Sequence, residues 1–301
     1  MKHFFIINPT AGALNSSEKL LNIIQEIFKD NPNDYETYIT KSIGDATRVA
    51  AEKAKTITED TVFYACGGDG TCFDVLNGIM GCEHAIFGIL PVGSCNDFLK
   101  TFKDLDFKDF SKIVNGEIKN IDVCCANGYY FINEINIGFD ARVNDDCNNS
   151  KIKAKNIRKA YRRAIIKNLL RPLGQRMKVL INDEVVIDKD ILLLVAANGS
   201  HYGGKYCCAP YADVQDGLFE FIAVNKISLF KFLSLIKQYE KGKHLELPKF
   251  RKYLHYSRES KLTFQSDTSL CACLDGEIFH WNEINVEMLP GQLRMIFPKN
   301  E

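Results

Sequence analysis

The sequence predicts an α/β domain built on a parallel sheet, followed by a domain made mainly of antiparallel strands. Up to about residue 118, strand-like apolar runs alternate with helical patterns, which is typical of a parallel sheet flanked by helices. Beyond that point, short apolar runs separated by turn residues dominate, including an Asn127-Gly128 turn that suits a two-residue hairpin. A chain of 301 residues is long enough to form a core in each half.

The first half alternates strands with helices. The predicted strands cover residues 3–8, 35–40, 61–66 and 85–90. Helices are predicted around residues 20–28, 45–55 and 72–80, because apolar residues recur there on one face, as Leu20, Ile24 and Phe28 do. In such folds ligands bind beyond the carboxyl ends of the strands.

The second half is predicted to be mostly strand, with two inserted helices at about 152–170 and 228–240, each ended by a glycine or proline. The predicted strands cover residues 121–126, 129–137, 177–181, 184–187, 191–197, 218–224, 261–264, 270–274, 284–288 and 293–297.

The composition is that of an ordinary soluble protein, with 46% hydrophobic and 25% charged residues. Because no apolar run approaches the roughly 18 residues that span a bilayer, a cytoplasmic location is expected. The eleven cysteines contain no Cys-x-x-Cys spacing, which favours small buried apolar residues over disulfides or a structural metal site.

The motif Gly67-Gly68-Asp69-Gly70-Thr71 follows a buried strand and opens a helix. Glycines let successive backbone amides face one concavity in front of a helix N-terminus, which favours phosphate. Asp69 would repel phosphate unless a metal ion intervenes, so the motif indicates a nucleotide triphosphate with Mg²⁺. A tight strand-to-helix turn capped by an aspartate is the simpler alternative.

Two other polar loops are expected at the same sheet edge. Asn8 to Gly12 follows the first strand and could hold phosphate, although Asn, Pro and Gly are common turn residues. Pro91 to Phe98 follows the fourth strand, and its Asn96-Asp97 pair could simply cap the next helix.

The second half has two acidic turns. Asp213 and Asp216 lie three residues apart before a strand, which suits a hard, oxygen-binding cation, although a plain surface turn is equally compatible. In Asp275-Gly276-Glu277, one carboxylate could act as a general base while the other orients metal or substrate. Asp-Gly is also an everyday hairpin turn.

Taken in this order, these motifs resemble the diacylglycerol kinase catalytic family, and more closely its compact bacterial soluble lipid kinases, over nearly the whole chain. The resemblance implies a nucleotide domain like that of NAD kinases and 6-phosphofructokinases, residues 1–122, with a returning final strand at about 290–301. It implies a β-sandwich over residues 123–289 for lipid and metal.

The resemblance also assigns residues. ATP would contact Asn8, Pro9, Thr10, Ala11, Gly12, Thr40, Gly67, Gly68, Asp69, Gly70, Thr71 and Ser94. A structural Mg²⁺ would be held by Asp213, Asp216 and the Leu218 carbonyl, linked through water to Asp97, and Asp275 and Glu277 would supply the base. Ser94 replaces the family's usual threonine, and the glycine run after Asn198 is shorter, with Lys205 after Gly203-Gly204.

Charge is unevenly spread along a chain whose formal net charge is zero. The segment Lys151–Lys178 holds eleven Lys and Arg and no acid. On its helix, basic residues such as Arg158, Arg162 and Arg163 lie opposite an apolar side, which suits an anionic membrane leaflet. Membrane is favoured over nucleic acid, because no groove-reading motif or aromatic platform accompanies the charge.

Together with these motifs, the resemblance implies an ATP- and Mg²⁺-dependent lipid kinase at the inner membrane face, with diacylglycerol as the favoured acceptor and a homodimer left open. An NAD kinase is the enzymatic alternative, since Asn133-Glu134 could bind a ribose. A nucleotide-sensing or lipid-binding protein without turnover is the third. No Gly-x-x-x-x-Gly-Lys-Ser/Thr motif supports a P-loop kinase.

Overall fold

A computed structural model describes residues 1–12, 16–93, 96–150 and 157–299, with the side chains of 157 and 158 left out. The chain divides into two compact units. The first comprises Met1–Val123 and Pro290–Glu301, and the second comprises Cys124–Leu289.

The first unit contains a parallel sheet whose strands are β1 (Lys2–Ile7), β2 (Tyr35–Ile39), β3 (Thr61–Gly67) and β4 (Ala85–Pro91). Their order is β4-β3-β1-β2. The helices of this unit are α1 (Ser16–Ile27), α2 (Asp45–Ala54), α3 (Asp69–Ile79) and the short α4 (Phe110–Val114), and residues Asp97–Thr101 form a 3₁₀ turn.

The core of the first unit forms around β3, whose seven residues are all buried. Such continuous burial is typical of a central parallel strand with both faces covered. The rings of Phe5 and Tyr64 stack with centroids 4.5 Å apart. His3 contacts this pair through a hydrogen bond, with its Nδ1 3.1 Å from the Tyr64 hydroxyl. Burial lowers the pKa of His3 to about 4.

The second unit begins within β5 (Glu117–Ala126), which forms a hairpin with β6 (Tyr129–Phe131) through the predicted Asn127-Gly128 turn. Both turn residues have positive φ, 48° and 87°, as a type I′ turn requires. The remaining elements are β7 (Glu134–Gly138), α5 (Phe139–Asn148), α6 (Ile157–Leu169), β8 (Gln175–Ile181), β9 (Glu184–Ala197), β10 (Phe219–Asn225), α7 (Leu229–Tyr239), α8 (Pro248–Arg251), β11 (Leu254–Glu259), β12 (Lys261–Leu274) and β13 (Glu277–Phe297).

The strands of this unit pair antiparallel in the order β11-β10-β9-β7-β12-β13, and β8 pairs with both β9 and β12. The predicted antiparallel class is confirmed. Strand β13 continues beyond residue 289 into the first unit, where Met295 pairs with Phe87 of β4 in parallel.

Several predicted element boundaries were wrong. In each of β9, β12 and β13, the structure has one strand where the sequence predicted two. Backbone pairing continues through polar stretches in which the apolar side-chain pattern stops. In β12 the interruption is a register shift between Gln265 and Leu270. The single strand predicted over 129–137 divides into β6 and β7, and α5 and β11 were not predicted.

Helices α6 and α7 both pack on one apolar cluster of the second unit through residues such as Ala160, Ala164, Phe232 and Leu235. The helix predicted over 152–170 is described from Ile157 onward. Within the described ranges, no helix is both long enough and apolar enough to cross a membrane.

Candidate functional site

The glycine turn lies where β3 passes into α3. Gly68 precedes the helix in an extended conformation, and the Thr71 amide donates to its carbonyl at 3.0 Å. A Cβ added to Gly67 would lie 2.2 Å from Thr71 Oγ1, so only glycine fits this position without a shift. The glycine turn therefore packs closely against the first turn of α3, next to the backbone amides that begin this helix.

The loop after β4 lies directly against this turn. The Gly67 carbonyl accepts hydrogen bonds from the amides of Val92 (3.3 Å) and Gly93 (3.0 Å). A Cβ on Gly93 would lie 2.5 Å from Gly68 Cα, a backbone atom that cannot rotate away. These contacts give the two loops a fixed spacing.

Asn8 connects the loop after β1 to the same turn. Its amide Nδ2 donates to Thr71 Oγ1 at 3.1 Å, and its Oδ1 accepts from the Thr10 amide and hydroxyl at 3.0 and 2.8 Å. Its backbone amide donates to the Cys66 carbonyl at 3.1 Å. The Asn8 side chain thus links the loop after β1 to the turn after β3.

Other predicted nucleotide-binding residues border this edge. Gly12 has φ 80°, and a Cβ there would lie 2.6 Å from the Val92 carbonyl oxygen. Thr40 donates to the Ile7 carbonyl through its amide (2.9 Å) and its hydroxyl (3.3 Å). The predicted contact Ser94 lies outside the described residues.

Asp69 is the acidic group of this edge. Its Oδ1 accepts a hydrogen bond of 2.9 Å from the Asp97 amide, and Asp97 is itself ion-paired to Lys100 at 2.5 Å. Desolvation, with the nearby Asp97 charge, raises the pKa of Asp69 to about 6. Because ionisation of this carboxylate is costly, a cation bound beside it would stabilise its charged form.

The donor set at this edge fits a nucleotide with Mg²⁺. Backbone amides at the start of α3 suit phosphate oxygens, and the oxygens of Asp69 are ligands that Mg²⁺ accepts.

In the second unit, Asp275 is buried in a nest of backbone amides. Its Oδ2 accepts from the Ile132 amide at 2.8 Å, and its Oδ1 accepts from the amides of Asn133 (3.1 Å) and Glu134 (2.9 Å). Asp275 itself has φ 45°, a left-handed conformation that the turn imposes. Its carboxylate therefore holds the β12–β13 turn against the segment before β7. Glu277, on the other side of that turn, is exposed.

A buried polar network surrounds this nest. Asn136 Nδ2 lies 3.0 and 3.1 Å from the two carboxylate oxygens of Glu134. Asn133 Nδ2 donates to the His201 carbonyl at 2.9 Å, and Asn198 Nδ2 donates to the Ile132 carbonyl at 2.8 Å. Sequence reasoning considered Asn133-Glu134 only as a ribose ligand. The signal for the network was a run of polar residues inside a strand that is otherwise apolar.

The predicted magnesium ligands lie in the turn before β10. Asp213 Oδ1 accepts from the Gln215 amide at 3.0 Å, and Asp216 Oδ1 accepts from the Leu218 amide at 2.9 Å. The second oxygen of Asp216 is paired with Arg258. A cation could bind these residues only by displacing the Arg258 guanidinium from Asp216, so this metal site stays a prediction.

Sequence reasoning missed a partly buried acid beside a small cavity. Tyr202 donates its hydroxyl to Oδ2 of Asp140, in the first turn of α5. Burial raises the pKa of Asp140 to about 6. The cavity of about 20 Å³ is lined by Asp140, Leu193, Tyr202, Tyr206, Val224, Phe232, Leu235, Ile236 and Tyr239. A lone Asp in a polar helix gives no sequence signal for this arrangement.

Two family models together cover most of the chain. Residues 2–126 match the model described as the diacylglycerol kinase catalytic domain. Residues 133–297 match the model described as the YegS C-terminal NAD kinase beta sandwich-like domain. The matches follow the same order as the two units.

Similar proteins span almost the same length. A diacylglycerol kinase of Bacillus subtilis (strain 168) is 26% identical over 309 residues, covering 98% of this chain and 96% of the relative. A diacylglycerol kinase of Staphylococcus saprophyticus is 28% identical over 278 residues, covering 90% and 87%. The crystal structure of a diacylglycerol kinase from Bacillus anthracis str. Sterne superposes with a TM-score of 0.72 at 22% identity, covering 98% and 96%, which shows the shared fold.

Proposed function

Because this chain belongs to the diacylglycerol kinase family and is a lipid kinase, we propose that it transfers the γ-phosphoryl group of ATP to diacylglycerol, forming phosphatidic acid. The observation that carries the proposal is the glycine turn before α3, with Asp69 at its mouth and the β4 loop fixed against it. Relatives named diacylglycerol kinase that match nearly the full length of the chain support the choice of acceptor.

In this proposal the amides of Gly67 to Gly70 bind the phosphates of ATP, and Asp69 binds the accompanying Mg²⁺. When bound, Mg²⁺ would offset the charge that develops on the transferring phosphoryl group. Asn8 would keep the first loop in register with this turn through its hydrogen bond to Thr71. The residues position the nucleotide, since phosphoryl transfer requires placement and charge stabilisation more than covalent chemistry.

The general base in this proposal is Glu277. Both oxygens of Asp275 already accept backbone hydrogen bonds, which suits a residue that positions the turn. Glu277 is two residues further along and exposed, so its carboxylate could take the proton of a lipid hydroxyl. Asp213, Asp216 and the Leu218 carbonyl remain our proposed second Mg²⁺ site, where the ion would have to replace Arg258.

We propose that helices α6 and α7 bring the enzyme to an anionic membrane. Arg162 and Arg163 are exposed on α6. On α7, Phe230 is 86% exposed and Leu233 is 48% exposed, so both apolar side chains are accessible to a membrane. Basic and apolar side chains on helices of one apolar cluster suit a surface that enters the headgroup layer of the inner leaflet.

The NAD kinase alternative is less well supported. A ribose-binding role would require the carboxylate of Glu134, which is buried and hydrogen-bonded to Asn136 through both oxygens. A side chain that is only 3% exposed offers a ligand little accessible surface.

The decisive experiment offers the purified protein radiolabelled ATP, Mg²⁺ and one acceptor at a time. The acceptors are diacylglycerol, monoacylglycerol, ceramide and sphingosine in anionic vesicles, and NAD in solution. We expect label in phosphatidic acid, and none with Asp69→Asn. Label in NAD alone would overturn the proposal, and ATP binding without transfer to any acceptor would favour a binding protein.

A further inference from the structure

We propose that Asp145, Cys271 and His280 form a binding site for Zn²⁺ or a similar divalent transition metal. One ligand atom from each residue lies within 4.8 Å of the other two. The site lies wholly in the second unit, on the stem of the hairpin that carries Asp275 and Glu277. It does not depend on the proposed phosphoryl transfer.

The fold brings these residues together from three elements. Cys271 on β12 and His280 on β13 are directly paired across the antiparallel ladder, so their side chains share one face. Asp145 projects from α5, and its Oδ2 lies 3.6 Å from His280 Nε2. Cys271 and His280 are nine positions apart in sequence, and a search for Cys-x-x-Cys spacing therefore does not find the site.

The donor atoms select the metal. One thiol sulphur, one imidazole nitrogen and one carboxylate oxygen suit Zn²⁺ and disfavour Mg²⁺, which requires oxygen ligands. Donors on one zinc ion lie roughly 3–4 Å apart, given bond lengths of about 2.0–2.3 Å. Closing from 4.8 Å requires a movement of about 1 Å, which the partly exposed side chains of His280 (53%) and Asp145 (30%) can make by rotation. Three protein ligands leave the fourth position to water.

Charged side chains surround the site. Asp146, next to Asp145 on α5, is paired with Lys167 (2.5 Å) and Arg171 (2.9 Å). Because a metal binds the thiolate, each bound ion would release the thiol proton of Cys271.

A bound ion would cross-link α5 to the hairpin stem. Cys271 is four residues before Asp275, and His280 is three residues after Glu277. A metal that binds only the folded protein stabilises it, and at about 100 times Kd it should raise Tm by on the order of 5 °C.

The test uses the full chain, stripped of metal and kept reduced, and titrates it with Co²⁺ and then Zn²⁺. We expect one Co²⁺ per chain with a thiolate-to-cobalt charge-transfer band, its displacement by Zn²⁺, and a Zn²⁺-dependent rise in Tm that Mg²⁺ does not reproduce. His280→Gln removes an exposed ligand and should leave the fold intact while weakening Zn²⁺ binding at least about tenfold. Cys271→Ser should abolish the charge-transfer band.

The matched controls are His84→Gln and Cys82→Ser in the first unit. His84 also faces an aspartate, with Nδ1 3.5 Å from Asp60, and Cys82 is a partly buried free thiol. Neither change should alter Zn²⁺ affinity. The proposal is overturned if the cobalt complex lacks the thiolate band, if the controls weaken binding as much as His280→Gln, or if Zn²⁺ does not change Tm.

Discussion

The contact between the glycine turn and the β4 loop can be tested with a single methyl group. In Gly93→Ala the new Cβ would lie 2.5 Å from Gly68 Cα and 2.8 Å from Gly68 N, whereas ordinary contacts begin near 3.4 Å. Since both neighbours are backbone atoms, the two loops must separate by roughly 1 Å. Overpacking of this kind costs about 1–3 kcal/mol of the free energy of unfolding. A misplacement of that size also lowers the rate of a positioned reaction by about 100-fold.

The assay measures Tm without nucleotide, and then kcat/KM for lipid phosphorylation. The control is Gly68→Ala in the same turn, because its Cβ would lie 3.8 Å from Gly93 Cα, an ordinary contact. We expect Gly93→Ala to lower Tm by several degrees and kcat/KM by about 100-fold, while Gly68→Ala leaves Tm within a degree or so of the parent. A Gly93→Ala variant with parental Tm and kcat/KM would show that the fixed loop spacing has no functional role.

Three further changes probe separate parts of the molecule. Asp69→Asn should lower turnover at least about 100-fold without lowering Tm at pH 7, because it removes a carboxylate whose raised pKa marks a native-state cost of ionisation. Asp140→Asn should raise the free energy of unfolding by on the order of 2 kcal/mol at pH 7–8, and this gain should disappear near pH 4. The reason is that the folded-state pKa of Asp140, about 6, exceeds the ordinary value of an aspartate. Ionisation of Asp140 therefore destabilises the folded protein as the pH rises from the ordinary pKa to the folded-state pKa. Reversing Arg162 and Arg163 to Glu should reduce activity on anionic vesicles at least about tenfold more than on a short-chain lipid in neutral detergent.

The measurements are, in turn, steady-state kinetics with thermal melting, melting curves across pH, and paired vesicle and detergent assays. For the membrane test, Lys19→Glu on α1 with Lys29→Glu just after its end makes the same charge change at exposed positions. Equal losses in vesicles and detergent would place Arg162 and Arg163 in folding or chemistry. A difference between Asp140→Asn and the parent that is the same at every pH would contradict the assigned titration.

The parallel half of the fold was predictable because its local signals agree. The run from Thr61 to Cys66 is apolar and followed by glycines, so strand, turn and helix can each be read from neighbouring residues. The antiparallel half was less predictable, since pairing of β12 with β13 depends on partners far along the chain. Helix α5 has a polar sequence and forms against tertiary neighbours, which a single-sequence pattern cannot register.

The candidate site follows the same division. The motif around Asp69 was found because its residues are contiguous. The nest around Asp275 unites amides at residues 132–134 with a carboxylate more than a hundred positions later, so only the turn itself was visible. The pairing of Asp216 with Arg258 was missed for the same reason.

The course of β13 has a consequence for synthesis on the ribosome. The first unit is discontinuous, and the strand segment that pairs with β4 through Met295 is translated only after the second unit. The whole of Cys124–Leu289 must be synthesised before β4 gains that neighbour. During this time, one edge of a strongly apolar sheet stays unpaired. Nascent chains shortened before Pro290 should therefore associate with chaperones or aggregate, whereas the full chain should not.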